Sequence, residues 1–528
     1  TDNDNDGLYD IYETTGMRIA NGQVIYTKVN NSDTDGDSLK DGEEIVRQDT
    51  ERGYFVIKSN PLSRDWDYDG RCDDIDEKPF SNLICGNLYT EYSKIPTISF
   101  NMDYRNFFAD NEVYNQTLST ASVLLSSAVY HENHIDVAQH DDGGNETKVK
   151  TKDIKELLTY LGFSSSETYS LENLYTDEHL SEVALGYRKV SYNGEDKTIV
   201  AVIIRGTNGT LEEWSSNFYI GCLYDFDSLA DWKNIDNHAG FDIAANRIKD
   251  IVQMYVNAND LENDDLVYWI TGHSRGAAIA NIIGADFEKE GKCAFTYTFA
   301  APNTTLTYSK YGSSEKIDYK TIFNVINEDD FVPCLPCSAW GYSRYGRTTT
   351  GQSIADSYEK EWENFTGILD YNPDSVGMDK TIASLADIIS GDPRVDCYKY
   401  TCSCHGDGSD DSITVINVNI SINSRENAIK RIPHNALPYC IVSKDGEANI
   451  EGSTFMVCQT PAYFMQILAT RMANKIGNTG FLTLEVANRY KTAKKNIINS
   501  SLSGLKHPHF AETYYILSKK LMAGDFVG

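Results

Sequence analysis

The apolar positions in the central part of the chain form uninterrupted runs. Residues 197–205 (KTIVAVIIR) and 266–271 (LVYWIT) are rich in β-branched and aromatic side chains, and comparable runs lie within 296–305 and 322–346. Strands that are buried on both faces have this pattern. Residues 275–287 instead place small and apolar side chains at helical spacing. The sequence therefore predicts buried strands and helices in this part of the chain, as in an α/β fold.

The first part of the chain has a different pattern, in which apolar and polar positions alternate over short stretches. Residues 22–29 (GQVIYTKV) and 52–59 (RGYFVIKS) alternate like short strands and predict hairpins. Acidic side chains are concentrated there as well, since residues 1–80 hold 20 Asp and Glu against 9 Lys and Arg. We therefore predict a separate small region at 1–82, followed by the α/β domain at 83–528.

An elaboration interrupts the α/β pattern at about 347–500. It contains a strand pattern at 412–422 and helical patterns near 461–475 and 481–499. Such an insertion either caps the site of the α/β domain or forms a separate binding surface, and the pattern does not decide between the two.

The net charge argues against one class of partner, and the cysteines leave a zinc site open as an alternative. The net charge of −31 argues against a nucleic acid partner. The sequence contains no run of about 18 uncharged apolar residues, so it does not predict a transmembrane helix. The eleven cysteines include Cys334, Cys337, Cys402 and Cys404 at short spacings. We expect buried or disulfide-paired cysteines, and a zinc site that also uses His405 is the alternative.

Three acidic segments of twelve residues repeat in the first region. They begin at positions 2, 33 and 65 and carry acids at repeat positions 1, 3, 5, 9 and 12. With the backbone carbonyl of repeat position 7, these acids supply the oxygen ligands that Ca²⁺ takes from one tight loop. Repeat position 6, where the loop turns, is Gly7 and Gly70 in two repeats but Ser38 in the second. The predicted calcium ligands are Asp2, Asp4, Asp6, Leu8, Asp10, Glu13, Asp33, Asp35, Asp37, Leu39, Asp41, Glu44, Asp65, Asp67, Asp69, Arg71, Asp73 and Asp76.

The three segments resemble thrombospondin type 3 repeats and the related DxDxDG calcium repeats of secreted bacterial proteins. The resemblance implies structural Ca²⁺, which would offset carboxylate repulsion and order a region with little core of its own. Extracellular modules bind Ca²⁺ at about 10⁻⁴ to 10⁻³ M, a concentration found outside cells. We therefore expect a secreted, extracellular protein that needs Ca²⁺ and no organic cofactor.

A short glycine-flanked serine segment lies between the strand and the helix at the centre of the chain. Residues 272–276 read Gly-His-Ser-Arg-Gly. Strand, G-x-S-x-G and helix are the context of the nucleophile elbow, in which a sharp turn holds a serine at the carboxyl edge of a sheet. Ser274 is therefore the candidate nucleophile.

Further motifs surround this elbow in a fixed order. They are RGT at 205–207, NHAGF at 237–241, DDFVP at 329–333 and KHPHFAETYY at 506–515. Together with the elbow, they resemble the class 3 lipases, the fungal-lipase-like branch of the α/β-hydrolases. The resemblance covers roughly 195–346 and 505–515. It implies an α/β-hydrolase fold with a mostly parallel central sheet, preceded by the small calcium-stabilised repeat region, and a serine ester hydrolase that acts on lipid esters.

The resemblance also implies the partners of Ser274. The family's acid directly precedes a hydrophobic residue and Val-Pro, which corresponds to Asp330, with Asp329 as the alternative. Its histidine stands in a His-x-x-x-x-Tyr setting, which corresponds to His509, with His507 as the alternative. The expected order of Ser, Asp and His along the chain is that of the α/β-hydrolases.

Several other residues take provisional roles from the same comparison. The backbone N–H groups of Arg275 and Thr207 are the expected oxyanion donors, with the Thr207 hydroxyl as a third. His273 is expected to pack or to orient its neighbours. His405 and His434 are further histidines after the acid, but neither has a matching context.

The chain departs from the family pattern in three respects. The usual GHSLGG is GHSRGA here, the distance from Asp330 to His509 is long, and the acidic repeats are an addition. Apolar residues mixed with Asp at 218–232 suggest an amphipathic lid or, alternatively, a fixed loop. The predicted function is hydrolysis of lipid or other esters at a membrane or micelle surface. A calcium-stabilised adhesion protein on a degenerate hydrolase fold is the alternative, and a serine peptidase is a third.

Overall fold

The computed structural model describes most of the chain up to residue 367, three short segments between 395 and 441, and residues 507–527. The described residues are 1–49, 53–87, 97–130, 136–140, 146–150, 153–174, 181–207, 237–306, 319–328, 330, 332–334, 342–349, 354, 358–367, 395–402, 411–418, 440–441 and 507–527. Among these residues, no helix is long and apolar enough to cross a membrane.

Four antiparallel hairpins precede the main sheet. They are formed by β1 (Met17–Arg18) with β2 (Val24–Ile25), β3 (Ile45–Asp49) with β4 (Tyr54–Ile57), β5 (Leu83–Asn87) with β6 (Thr97–Asn101), and β7 (Asp136–His140) with β8 (Glu146–Lys150). The hairpins predicted from the alternating segments 22–29 and 52–59 are confirmed as β2 and β4, although β2 is only two residues long.

An eight-stranded sheet forms the centre of the molecule and confirms the predicted α/β-hydrolase fold class. The described strands after β8 include those of this sheet and five others. In chain order they are β9 (Ser164–Ser170), β10 (Glu182–Tyr192), β11 (Glu195–Ile204), β12 (Leu266–His273), β13 (Cys293–Phe299), β14 (Thr305–Leu306), β15 (Ile322–Val325), β16 (Tyr342–Ser343), β17 (Arg347–Thr349), β18 (Val395–Cys402), β19 (Asp411–Val418), β20 (Cys440–Ile441) and β21 (Phe526–Val527). The sheet order is β21–β17–β15–β13–β12–β11–β10–β9. The strands from β17 to β11 run parallel, and β21, β10 and β9 are antiparallel to their neighbours.

Helices cover both faces of this sheet. The α-helices in the described part of the chain are α1 (Asp10–Thr15), α2 (Asp41–Glu44), α3 (Gln116–Ala128), α4 (Ile154–Tyr160), α5 (Leu171–Leu174), α6 (Ala239–Ala258), α7 (Arg275–Lys289), α8 (Glu359–Thr366) and α9 (Ala511–Ser518). Successive side chains of a strand point to opposite faces. Ile203 and Trp269 accordingly lie in one core with α3, α4 and α9, whereas Ile204 and Ile270 lie in the other with α6 and α7. The apolar runs of β11 and β12 are thus buried on both faces.

The acidic repeats form a region with a much smaller core. Its buried apolar side chains are Leu8, Met17, Ile19, Ile25, Ile45 and Phe55. The third repeat packs directly on the α/β domain, because Arg188 of β10 contacts Asp65 at 2.7 Å and the Gly70 carbonyl oxygen at 2.8 Å. The same guanidinium lies 4.5 Å from the centre of the Tyr104 ring. The repeat region and the sheet therefore share a polar contact at this edge.

Several predicted features lie outside the described residues. These are the lid segment 218–232, the helical patterns at 461–475 and 481–499, and the residues Asp329, Cys337, Cys404, His405 and His434. The backbone of β18, β19 and β20 is described within the predicted insertion, and β19 confirms the strand pattern at 412–422. The roles of the insertion and of the lid segment stay predictions, as do the boundaries of the two regions.

Candidate active site and acidic clusters

Ser274 lies at the turn between β12 and α7, in the backbone geometry of a nucleophile elbow. Its φ of 57° and ψ of −125° place it in a conformation that non-glycine residues rarely adopt. Its N–H donates to the Phe299 carbonyl oxygen at 2.9 Å, which ties the elbow to β13. A Cβ at Gly276 would lie 2.2 Å from the Ile204 carbonyl oxygen, so only glycine allows the helix to approach β11 this closely. The side chain of Ser274 is partly exposed at the carboxyl edge of the sheet.

His509 lies between Ser274 and Asp330. Its Nε2 is 2.9 Å from Ser274 Oγ, and its Nδ1 is 2.8 Å from Asp330 Oδ2. An ionised carboxylate can only accept hydrogen bonds, so the proton of a neutral His509 stands on Nδ1. Nε2 is then free to accept from the Ser274 hydroxyl. The imidazole is about one fifth exposed, whereas the Asp330 side chain is buried at 1 % exposure.

Two further groups orient Asp330. Tyr514 of α9 donates its hydroxyl to Asp330 Oδ2 at 2.6 Å, and the N–H of Val332 donates to Oδ1 at 3.0 Å. Asn327 links the two segments, because its N–H approaches Tyr514 Oη at 3.3 Å and its side chain donates to the Pro508 carbonyl oxygen at 3.1 Å. The sequence signal for Tyr514 was its spacing from His509. Asn327 has no comparable signal and was missed.

The alternative histidine has a different environment. The ring of His507 packs 5.1 Å from the centre of Trp362, and its carbonyl oxygen accepts from Thr513 Oγ1 at 2.5 Å. His507 and His509 belong to one helical turn at 507–509, so their side chains point in different directions. His509 is the one brought to Ser274.

The two expected oxyanion residues lie at the ends of neighbouring strands. Arg275 is the first residue of α7, where backbone N–H groups have no intrahelical partner. Thr207 follows Gly206, where an added Cβ would lie 2.7 Å from the His273 carbonyl oxygen, so the end of β11 lies beside the elbow. The Arg275 side chain is buried at 1 % exposure and lies 5.6 Å from the centre of the Phe241 ring. The family's leucine is thus replaced by a buried cation over an aromatic face.

The three acidic repeats share one hydrogen-bonding pattern. In each, the carboxylate at repeat position 1 accepts from the N–H at position 6, and the carboxylate at position 5 accepts from the N–H at position 7. Position 6 has positive φ in all three, at 103° for Gly7, 90° for Ser38 and 105° for Gly70. Ser38 therefore adopts the turn that glycine adopts elsewhere, and the loop geometry is retained in the second repeat.

Many of the other carboxylate oxygens in the repeats are buried and have no protein partner. Asp6 Oδ2, Asp37 Oδ2, Glu13 Oε2 and Glu44 Oε2 are buried without a hydrogen bond, as are oxygens of Asp2, Asp4, Asp35, Asp65, Asp67 and Asp76. Ligand atoms lie within 4.8 Å of one another in the groups Asp2–Asp4–Asp6, Asp33–Asp35–Asp37 and Asp65–Asp67–Asp69. Converging, unpartnered carboxylate oxygens fit a hard divalent cation such as Ca²⁺.

Adjacent repeats also combine their acids. Glu13 at position 12 of the first repeat groups with Asp6 and with Asp41, which is position 9 of the second repeat. Glu44 groups in the same way with Asp37 and Asp73 of the third repeat. The sequence predicts that position 9 is a ligand of its own loop, whereas Asp41 and Asp73 group with acids of the preceding repeat. Spacing within one repeat does not reveal a contact made between repeats.

The remaining predicted ligands have other contacts. Both oxygens of Asp10 accept hydrogen bonds, from the Thr1 hydroxyl and the Asn3 N–H. Asp76 pairs with Arg71 at 3.3 Å and is absent from the group of the third repeat.

Burial and mutual repulsion raise the pKa values of several carboxylates in these clusters. Burial, reinforced by Asp35, Asp37 and Asp41, raises the pKa of Glu44 to about 9. Burial likewise raises the pKa of Glu13 to about 7 and that of Asp69 to about 8. A bound cation would favour the ionised form and oppose these shifts.

The central part of the chain is similar to known lipases. The family described as Lipase (class 3) matches residues 201–339, which include Thr207, Ser274 and Asp330. A secreted mono- and diacylglycerol lipase 1 of Fusarium solani is 27 % identical over 143 residues, which are 27 % of this chain and 41 % of that protein. The chain therefore spans less than half the length of this relative.

Solved structures of fungal lipases are also similar. A lipase from Rhizopus microsporus var. chinensis is 21 % identical, with 37 % of this chain and 64 % of that chain covered and a TM-score of 0.26. A mono- and diacylglycerol lipase from Aspergillus oryzae is 19 % identical, with 32 % and 64 % covered and a TM-score of 0.24. Residues 201–339 are thus similar to the class 3 lipases, and the mostly parallel central sheet is that of the α/β-hydrolase fold.

Proposed function

We propose that this protein is a secreted serine ester hydrolase that cleaves carboxylic esters of lipids. The observation that carries the proposal is the pair of hydrogen bonds that joins Ser274 to His509 and His509 to Asp330. The family match and the Fusarium mono- and diacylglycerol lipase support a lipid ester as the substrate class.

The reaction runs through a covalent acyl-enzyme. Ser274 Oγ attacks the ester carbonyl while His509 Nε2 takes the hydroxyl proton, and the same nitrogen then gives this proton to the leaving alcohol. Water attacks the acyl-enzyme in the second half, again with His509 as base, and releases the carboxylic acid and free Ser274. Asp330 holds the Nδ1 proton and stabilises the imidazolium that forms in each half.

The negative charge on the carbonyl oxygen needs fixed donors. We assign the backbone N–H groups of Arg275 and Thr207, and the Thr207 hydroxyl, to this role because both residues flank the elbow. Donors of this kind act where charge develops in the transition state, and the loss of one costs about 10² to 10³ in rate.

The catalytic proposal is tested with p-nitrophenyl esters of short and long acyl chains. The substitution Ser274→Ala removes the nucleophile and is expected to lower kcat by about 10⁶-fold. Ser191→Ala, which changes an exposed serine at the end of β10, serves as the matched control and should keep full activity. Full activity in Ser274→Ala would reject Ser274 as the nucleophile. A folded parent chain that hydrolyses no ester in the panel would reject the hydrolase and favour the adhesion protein.

We further propose that the acidic repeats hold structural Ca²⁺. The carboxylates of repeat positions 1, 3 and 5, and the shared groups that include Glu13 and Glu44, would bind the ion. When bound, Ca²⁺ supplies charge neutralisation. The chain's own contribution is a set of carboxylates preoriented by backbone N–H groups. Binding in the millimolar range would suit an extracellular protein, which also agrees with the secreted relative.

Thermal melting in Ca²⁺ and in chelator tests this second proposal without reference to activity. At a free Ca²⁺ concentration of 100 times Kd, each site contributes about 2.7 kcal/mol to the folded state. For a region of this size, the loss of one such site corresponds to a fall in Tm of roughly 10 to 20 °C, so we expect chelation to lower Tm by at least this amount. Mg²⁺ at equal concentration should restore little, because it requires a smaller octahedral site. An unchanged Tm in chelator would contradict structural Ca²⁺.

A further inference from the structure

His273 lies directly before the nucleophile and contacts the main chain of His509. It is the last residue of β12 and is buried at 5 % exposure. Its Nε2 is 2.8 Å from the His509 carbonyl oxygen, and its Nδ1 is 3.1 Å from the hydroxyl of Tyr130. Ser274 and Asp330 contact the side chain of His509, whereas His273 contacts its backbone.

The direction of these two hydrogen bonds follows from the chemistry of the partners. A carbonyl oxygen can only accept, so Nε2 of His273 must carry the proton. Burial, with a smaller contribution from the nearby His509, lowers the pKa of His273 well below its ordinary value, and the ring is therefore neutral with a single N–H. Nδ1 is then an acceptor, and the hydroxyl of Tyr130 donates a hydrogen bond to it. The hydroxyl of Tyr130 thus selects the tautomer that can donate to His509.

The backbone of His509 needs such a support because of its place in the chain. It lies in a single helical turn before α9 and is 235 positions away from Ser274. Asn327 donates to the Pro508 carbonyl oxygen and His273 donates to the next carbonyl along the chain. Because His273 and Ser274 are consecutive, any shift of the elbow moves the nucleophile and this support together.

We propose that His273, held in one tautomer by Tyr130, is a positioning residue that fixes the backbone of His509 so that its Nε2 meets Ser274 Oγ. This inference rests on the proposed hydrolase function. A neutral His273 also suits the reaction, because its ring lies 4.8 Å from the ring of His509, which becomes cationic in each half of the cycle. The substrate does not contact His273 in this scheme, so its loss should act on kcat.

The experiment compares two replacements of His273 on the same ester substrates. His273→Leu removes the donor, and His273→Gln retains an amide N–H that reaches the position of Nε2. A misplacement of about 1 Å costs roughly 10²-fold in rate, so we expect a fall in kcat of that order for His273→Leu with KM within about twofold. His273→Gln should recover at least about tenfold of this loss. Equal losses of kcat in the two variants, or a loss that appears in KM, would overturn the inference.

Tyr130→Phe provides a second and milder variant if His273→Leu does not fold. It removes one hydrogen bond worth about 1 kcal/mol, so kcat should fall about fivefold with unchanged KM. Unchanged kcat in Tyr130→Phe would overturn the selection of the tautomer. Ser274→Ala, measured in parallel, separates the two proposals. If it is inactive while His273→Leu retains full kcat, the positioning role is wrong and the hydrolase stands. If it is active, Ser274 is not the nucleophile, and the proposed mechanism and the positioning role of His273 are both rejected.

Discussion

The acidic repeats differ from the candidate active site at Ser274, His509 and Asp330, which we call the hydrolase site. The difference lies in whether buried carboxylates have hydrogen-bond partners within the protein. Asp330 is buried at 1 % exposure, and each of its oxygens accepts at least one hydrogen bond, from His509 and Tyr514 on one side and Val332 on the other. In the repeats, by contrast, Glu44 is fully buried while its Oε2 has no partner. A buried charge must be compensated, because desolvation of an unpaired carboxylate costs several kcal/mol.

The difference indicates which site is complete from the protein alone. The hydrolase site is built from groups that satisfy one another and lies on a sheet with a large core on each face. The repeats have a core of six apolar side chains among the described residues, and many of their converging carboxylate oxygens have no hydrogen-bond partner. If the repeats hold Ca²⁺ as proposed, the stability of the repeat region depends on a bound cation, whereas that of the α/β domain depends on packing.

The largest expected effect belongs to the hydrolase site. Asp330→Asn keeps the shape of the side chain but changes the atom that faces His509 Nδ1, so the imidazole loses its preferred tautomer. By analogy with Ser-His-Asp enzymes, kcat should fall about 10⁴-fold. Ca²⁺ affinity, measured by calorimetry, should stay at the parent value because the carboxylate has no contact with the repeats. A joint loss of activity and Ca²⁺ binding would mean that the two regions are not independent.

The next effect concerns the contact between the two regions. Arg188→Met removes the guanidinium that pairs with Asp65, and both side chains are mostly buried. Breaking a buried ion pair from one side costs about 3 to 5 kcal/mol, so the free energy of unfolding in urea should fall by about this amount. Lys189→Met is the matched control, because the neighbouring cation is exposed and should leave stability unchanged. Similar losses in both variants would remove Arg188 as the specific link.

A smaller effect should depend on Ca²⁺ in its size. Glu44→Gln removes a charge from the group formed with Asp37 and Asp73, and we expect roughly tenfold weaker Ca²⁺ binding. In chelator at pH 7, Tm should change little, because the pKa of Glu44 is raised to about 9 and glutamine resembles the protonated side chain. Glu43→Gln is the control, since Glu43 is exposed and outside the group. An equal shift in Tm with and without Ca²⁺ would contradict the role of Glu44 as a ligand.

The smallest effect is a pH dependence of the hydrolase domain. The folded pKa of His273 lies well below that of the unfolded chain, where an ordinary histidine titrates at about 6.5. The unfolded state therefore binds a proton as pH falls below about 6.5 while the folded state does not, and stability is lost towards acid. In the parent chain, His273 should cost about 1 kcal/mol between pH 7.5 and 5.5. His273→Gln should lose less stability over this interval in urea unfolding, and parallel curves for the two chains would contradict a neutral buried His273.

The sequence predicted the elements whose pattern is local. The apolar runs of β11 and β12 can only be buried on both faces, and the elbow is a contiguous strand, turn and helix. The acidic repeats are also contiguous, so their loops were found even where Ser38 replaces glycine. The contacts of Asn327 and Tyr130 could not be predicted, because each joins segments more than a hundred residues apart.

Local sequence thus establishes which residue types are available at each motif, whereas the folded chain establishes which of them meet. His507 and His509 are two positions apart and chemically equal, but the helical turn directs one towards Trp362 and the other towards Ser274. Asp41 has the spacing of a ligand for its own repeat, yet folding groups it with Glu13 of the preceding one. The physical reason is the same in both cases. Hydrogen bonds and ligand groups depend on distances of a few ångströms between distant parts of the chain, which local spacing does not fix.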